Sequence, residues 1–126
     1  MFFKALISTL FVSVFLAGTT NATPIAKSGP FSGNATFFYP SSPPGACGVI
    51  SVDTDHIVAL SPSEFGDGTH CFQHIRAQFN GKSVDATVVD LCFDCRNGTI
   101  DLSPSAFGEL SDLSVGILHG VTWDFQ

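Results

Sequence analysis

The 126-residue sequence is poor in charge, and poorest in positive charge. Only 13% of its residues are Asp, Glu, Lys or Arg, with five Lys and Arg against eleven Asp and Glu. A formal net charge of −6 and a pI near 4.7 exclude nucleic acid as a partner, because neutralising phosphates requires clustered basic side chains. The same shortage excludes attraction to an anionic lipid surface. The sequence also lacks an apolar run long enough to cross a bilayer. The stretch from Ala5 to Gly18 falls short of the ~20 residues that a spanning helix needs. The mean hydropathy of +0.33 reflects this local excess and not a membrane protein.

What is present at the N-terminus has the form of a secretory signal. Lys4 supplies a basic start, Ala5 to Leu16 an apolar segment, and Ala17, Gly18, Thr19, Thr20, Asn21 and Ala22 a zone of small and polar residues. Residues 1–22 are therefore read as a cleaved signal, placing the protein outside the cell with no membrane attachment after cleavage. Cleavage removes Lys4 and leaves the mature chain more acidic still. Residues 23–32 are rich in turn formers and lack periodicity, which predicts a loose arm. Residues 33–126 then form one small domain, large enough to bury a core but only marginally stable. Four cysteines in a secreted chain imply two disulfides and no free thiol.

Alternation marks the strands. Cys71, Gln73, Ile75, Ala77 and Phe79 share one face and Phe72, His74, Arg76 and Gln78 the other. Asn80-Gly81 follows, a two-residue hairpin signal because both positions of a type I′ turn need positive φ. Lys82 to Leu91 is the return strand, with Val84, Ala86 and Val88 on one face and Asp90 sharing their parity. Gly116 to Phe125 reads as further strand.

The segment Leu60-Ser61-Pro62-Ser63-Glu64-Phe65-Gly66-Asp67 recurs as Leu102-Ser103-Pro104-Ser105-Ala106-Phe107-Gly108-Glu109. In each copy Ser caps a helix and Pro takes its first position. A weaker echo pairs Ala35-Thr36-Phe37-Phe38-Tyr39 with Ala86-Thr87-Val88-Val89-Asp90. Two similar halves predict a closed β-barrel with pseudo-two-fold symmetry and one or two short helices, closure removing the exposed sheet edges. The halves differ in carboxylates. Asp101 stands opposite Ala59 and, in the weaker echo, Asp90 opposite Tyr39, with Asp94 in the Cys92-Phe93-Asp94-Cys95 loop between them. Clustered carboxylates suit general acid–base work, since burial and repulsion raise one pKa. The alternative is that Asp101 accepts backbone N–H groups at the following helix start.

A zinc site built on Cys92, Cys95, His70 and His74 is not expected. Residues four apart on a strand lie ~13 Å apart, too far for one tetrahedral ion. No metal or other cofactor is expected. Asn34-Ala35-Thr36 and Asn97-Gly98-Thr99 are glycosylation sequons. Asn21-Ala22-Thr23 straddles the expected cleavage site.

Several segments together resemble the secreted double-psi β-barrel family, which includes rare lipoprotein A-like and barwin-like proteins, the first domain of expansins and small fungal loosenins. They are Gly33-Asn34-Ala35-Thr36-Phe37-Phe38, Gly45-Ala46-Cys47-Gly48, Ile57-Val58-Ala59-Leu60-Ser61, Val88-Val89-Asp90-Leu91-Cys92-Phe93-Asp94-Cys95 and Ile100-Asp101-Leu102-Ser103-Pro104-Ser105-Ala106-Phe107. The resemblance implies a six-stranded, disulfide-stapled barrel from a fungus or similar walled microbe. It further implies that Asp101 is the essential acid for wall loosening and that Asp90 lines the same groove. Asp94, Tyr39, Phe38 (or Phe37) and Phe93 are candidate contacts for sugar, with at least one of Phe37 and Phe38 facing inward. The sequence departs from the enzymes of the family. Ser61 stands where the transglycosylases have His, and Phe38 and Tyr39 stand where the barrel glucanases have a second Asp. A monomeric, non-hydrolytic protein acting on cellulose, chitin or peptidoglycan is therefore expected. A protein-binding module, such as a cysteine-protease inhibitor or an effector of a plant-associated microbe, is the alternative. Of the three possible cysteine pairings, Cys47–Cys95 with Cys71–Cys92 is expected, because a Cys92–Cys95 bridge would close a very small loop.

Overall fold

A computed structural model describes residues 30–41 and 43–126, with positions 13 and 18 in isolation. The expected secretory signal and most of the expected arm lie outside the described residues. Among those residues, no helix is long and apolar enough to cross a membrane.

The elements run β1 (Phe31–Phe37), β2 (Ile57–Leu60), α1 (Pro62–Phe65), β3 (His74–Phe79), β4 (Lys82–Leu91), β5 (Ile100–Leu102), α2 (Pro104–Leu110), a 3₁₀ turn (Leu113–Val115) and β6 (Leu118–Phe125). The strands close into a barrel in the order β1-β5-β2-β4-β3-β6. β1 runs parallel to β5 and β2 parallel to β4, and the other neighbours are antiparallel. The mainly-β, six-stranded, two-disulfide architecture agrees with the fold expected from the repeat and the resemblance.

The central pair shows the symmetry directly. Ala59 pairs with Asp101, its own counterpart in the repeat, so the pseudo-two-fold axis passes between them. Both copies of the Ser-Pro segment start a helix with Pro in its first turn, but only one is capped as expected. Ser103 Oγ accepts the Ala106 N–H, whereas Ser61 makes no cap bond to its helix backbone and its hydroxyl instead meets the Glu64 carboxylate. Alternation fills the barrel: Val58, Leu60, Ile75, Ile100, Leu102 and Trp123 bury their side chains together.

Four expectations shift. β1 takes in Phe31 and Ser32, ahead of the expected domain start at residue 33, because Phe31 stacks on Trp123 with ring centroids 4.3 Å apart. β3 starts at His74 and not at Cys71, since the chain turns through residues 66–73 with Phe72 at positive φ. The hairpin after β3 is as expected, Asn80 and Gly81 both having positive φ and Phe79 pairing with Lys82.

The third shift concerns the disulfides, which are Cys47–Cys71 and Cys92–Cys95. The amide of Cys47 donates to Val89 O and that of Phe72 to Val88 O, so both ends of the long bridge are laid beside the same stretch of β4. Cys92 to Cys95 is a tight turn, its Cys95 N–H donating to Cys92 O, and the Cα atoms come within 5.3 Å. That separation suits a disulfide, so the small loop is no obstacle.

The fourth shift concerns Asp90. The β2–β4 ladder pairs Val58 with Val88 and then Ala59 with Asp90, leaving Val89 as the extra residue of a bulge. The bulge reverses the parity of β4 beyond it. Asp90 therefore leaves the inner face of Val84, Ala86 and Val88, and Leu91 packs against the core in its place. The same register makes Thr36, which pairs with Asp101, the counterpart of Asp90, which pairs with Ala59. The sequence echo places Tyr39 there instead.

Candidate functional site

Four neighbouring strands, β1-β5-β2-β4, carry a row of paired positions across their outer face: Thr36, Asp101, Ala59 and Asp90. On β1 and β5 the row is set by alternation. Ala35, Ile100 and Leu102 point into the core, so Thr36 and Asp101 between them point out. On β4 it is set by the bulge. Ala59 is small, so the floor between the two acids stays low. Two strand spacings separate the backbones of Asp90 and Asp101, roughly 9–10 Å.

The two acids are held differently. Asp101 is half-buried, and its Oδ1 accepts the Thr36 hydroxyl at 2.8 Å. Burial pushes its carboxyl above the usual aspartate range, the Thr36 hydrogen bond pulls it part of the way back, and the nearby Asp90 charge adds to the rise. The helix start after it needs no carboxylate, because Ser103 serves Ala106 N. The alternative of Asp101 as a helix-start acceptor therefore fails. Asp90 is committed to backbone: its Oδ1 accepts from Ala46 N and Leu91 N, each at 2.8 Å. Gly45 lies so close that an added Cβ would meet Val89 O and the Asp90 side chain. Asp90 thus pins the 45–47 loop onto β4 while still bordering the face.

Clefts flank the row. Asp101 opens onto one of about 430 Å³, which Thr36, Asn34, Asp94, Arg96 and Thr99 also line. Asp90 borders another of about 210 Å³ with Phe38, Tyr39 and Val89. The structure therefore brings Asp94 to Asp101, and Phe38 and Tyr39 to Asp90. Phe37 is the inward-facing member of its pair, packing on Phe107 at 5.0 Å between ring centroids. Tyr39 is 63% exposed. Phe93, 81% exposed, stands out on the Cys92–Cys95 turn and does not line either cleft. Sequence reasoning missed Thr36. The available signal was its place two residues from Asn34 on a strand whose intervening Ala35 is apolar, which predicts an outward hydroxyl.

A scan against protein-family models finds no match. Curated proteins do match. Allergen Asp f 7 of Aspergillus fumigatus is 31% identical over 82% of this chain and 39% of its own length. Papain inhibitor of Streptomyces mobaraensis is 30% identical over 70% of this chain and 66% of its own. An EG45-like domain containing protein of Citrus jambhiri is 30% identical over 78% of this chain and 86% of its own. The chain belongs to the double-psi β-barrel family of expansin-like, barwin-like and EG45-like proteins. It spans less than two thirds of the Aspergillus and Streptomyces members. Among solved structures, Streptomyces papain inhibitor superposes with a TM-score of 0.70 at 27% identity, over 78% of this chain and 94% of that one. A point mutant of Clavibacter michiganensis expansin, solved in complex with cellohexaose, superposes with a TM-score of 0.70 at 24% identity, over 78% of this chain and 50% of that one. That likeness is one of fold. The family's barrel accounts for the closed strand order and for the pairing of the repeat with itself at Ala59 and Asp101.

Proposed function

We propose that this protein acts outside the cell as an expansin- or loosenin-like protein, binding and loosening cell-wall polysaccharide without hydrolysing it. The observation that carries the reading is the Thr36–Asp101 pair, a half-buried carboxyl with its proton affinity raised, at the floor of an open cleft on the barrel face. Such a group exchanges hydrogen bonds with sugar hydroxyls as donor or acceptor. Tyr39 and Phe38 offer rings at the cleft on the Asp90 side. Asp90 shapes this face through its Oδ1, which holds the Ala46 and Leu91 amides, and its carboxylate borders the same cleft as Phe38 and Tyr39. The two disulfides fit an oxidising compartment.

The deciding experiment is depletion of the purified protein by insoluble cellulose, chitin and peptidoglycan, with Asp101→Asn alongside. One polymer should deplete the wild type. A lost hydrogen bond to a charged group corresponds to about 1.5–3 kcal/mol, so the variant should bind about ten- to a hundredfold more weakly and lose wall loosening. A folded variant with unchanged activity sinks the reading.

A second reading, inhibition of a papain-like protease, is favoured by the likeness to Streptomyces papain inhibitor and by the exposed apolar loop residues Ile50 and Val52. No depletion on any polymer, together with saturable inhibition of papain that Ile50→Ser weakens, would put this reading first.

A further inference from the structure

The two sequons within the described residues differ in where their asparagines stand. Asn34 lies two residues before Thr36 on β1, and both line the cleft onto which Asp101 opens. Its side chain is exposed, and its amide Oδ1 bonds to His119 Nδ1 at 3.0 Å. That bond leaves Nδ2, the atom that would carry a glycan, as the free end of the amide. Asn97 is also exposed, on the turn before β5, but it does not line the cleft, although its neighbours Arg96 and Thr99 do.

We propose that Asn34 is a modification site that closes the cleft: an N-linked glycan on Asn34 covers the Thr36–Asp101 pair, whereas one on Asn97 leaves it open. The argument is steric. The first sugar is bonded to the side-chain nitrogen itself, so the glycan starts from a side chain that lines the cleft. The sequon on a strand puts the glycan on the face of the cleft. Its Asn and Thr lie two residues apart, and residues two apart share a face. Here the Thr hydroxyl is also the partner of Asp101. Glycan occupancy would thus regulate the site assigned above, and the inference rests on that assignment for its functional meaning.

The test uses the full chain with one sequon removed at a time, secreted from a eukaryotic host and also made in a bacterial periplasm, which forms disulfides without adding N-glycans. Glycopeptide masses report occupancy. Depletion by the polymer that binds the wild type reports function, and carbodiimide labelling of Asp101 reports access with no ligand present. For Asn97→Gln, which keeps Asn34, the glycosylated form should bind at least about tenfold more weakly than its unglycosylated twin and label less at Asp101. For Asn34→Gln, which keeps Asn97, the two forms should match in both readouts. Equal binding and labelling of the Asn97→Gln pair overturns the proposal. So does an Asn34 found bare in wild-type molecules whose Asn97 is occupied. If the unglycosylated protein binds no polymer, the polysaccharide reading fails, and the labelling arm still decides whether the glycan closes the cleft.

Discussion

Removing the two disulfides one at a time should have unequal consequences, because they close loops of different length. Cys47 and Cys71 are 24 residues apart in sequence, Cys92 and Cys95 only 3. The loop-closure entropy withheld from the unfolded chain is about 3.5 kcal/mol at 25 °C for the long loop and below about 2 kcal/mol for the short one. The long bridge also ties the 45–47 loop, with its amides on Val89 and Asp90, to the turn before β3. The perturbation is therefore Cys47→Ala with Cys71→Ala, compared with Cys92→Ala with Cys95→Ala. For a domain of this size each kcal/mol moves Tm by about 4–8 °C. The first pair should lower Tm by roughly 14–28 °C and the second by less than roughly 16 °C. Against a total stability of about 5–15 kcal/mol, losing the long bridge removes about a quarter of it at the upper end and more than half at the lower. Thermal scans and urea midpoints at matched slope give the comparison. An equal or larger loss on removing Cys92–Cys95 would refute the argument from chain entropy.

Other outcomes follow from named groups. The Asp101 carboxyl is raised by burial, so the folded protein holds that proton more tightly than the unfolded chain does. Its contribution to stability is full below the ordinary aspartate pKa and is lost as pH rises through the folded value. Asp101→Asn should therefore gain stability relative to wild type between about pH 3 and pH 7, read as the difference in urea midpoints, and a flat difference or one of opposite sign would contradict the assigned cause. Gly98 has φ +82°, an added Cβ would land on the Ser32 carbonyl, and its own carbonyl accepts Trp123 Nε1 at 2.8 Å. Gly98→Ala should cost about 2–5 kcal/mol, whereas Gly81→Ala, also at positive φ but with open space around it, should cost only about 1–2 kcal/mol. Equal costs would show that backbone conformation alone, not the close approach to Ser32, governs Gly98.

Much of this molecule was legible in one dimension because its signals are local. The Ser-Pro helix starts, the Asn80-Gly81 hairpin and the run Lys82–Leu91 depend on neighbours a few residues away, and each appears where the pattern put it. The repeat predicted two similar halves, and Asp101 stood out because its counterpart is Ala59. What the pattern misjudged was register. A period-two reading carries Asp90 to the core side, and a single extra residue, Val89, turns it out again. Nothing local in Val88-Val89-Asp90 announces the bulge, which arises because β4 must pair with β2 at both ends.

The sequence by itself determined the acidic surface, the barrel of two halves, the presence of two disulfides and the singling out of Asp101. Only the tertiary structure decided which cysteines pair, that Thr36 holds Asp101, that Asp90 serves backbone amides, and that Asn34 and Asp94 share a cleft with them. The physical reason is the same in each case. Thr36 meets Asp101 because β1 and β5, far apart in sequence, pair side by side in the closed strand order, and Cys47 meets Cys71 and Ala46 meets Asp90 because their loops are laid beside β4. Contacts of this kind, such as the hydrogen bond joining residues 36 and 101, depend on the closed barrel and leave no mark on local pattern.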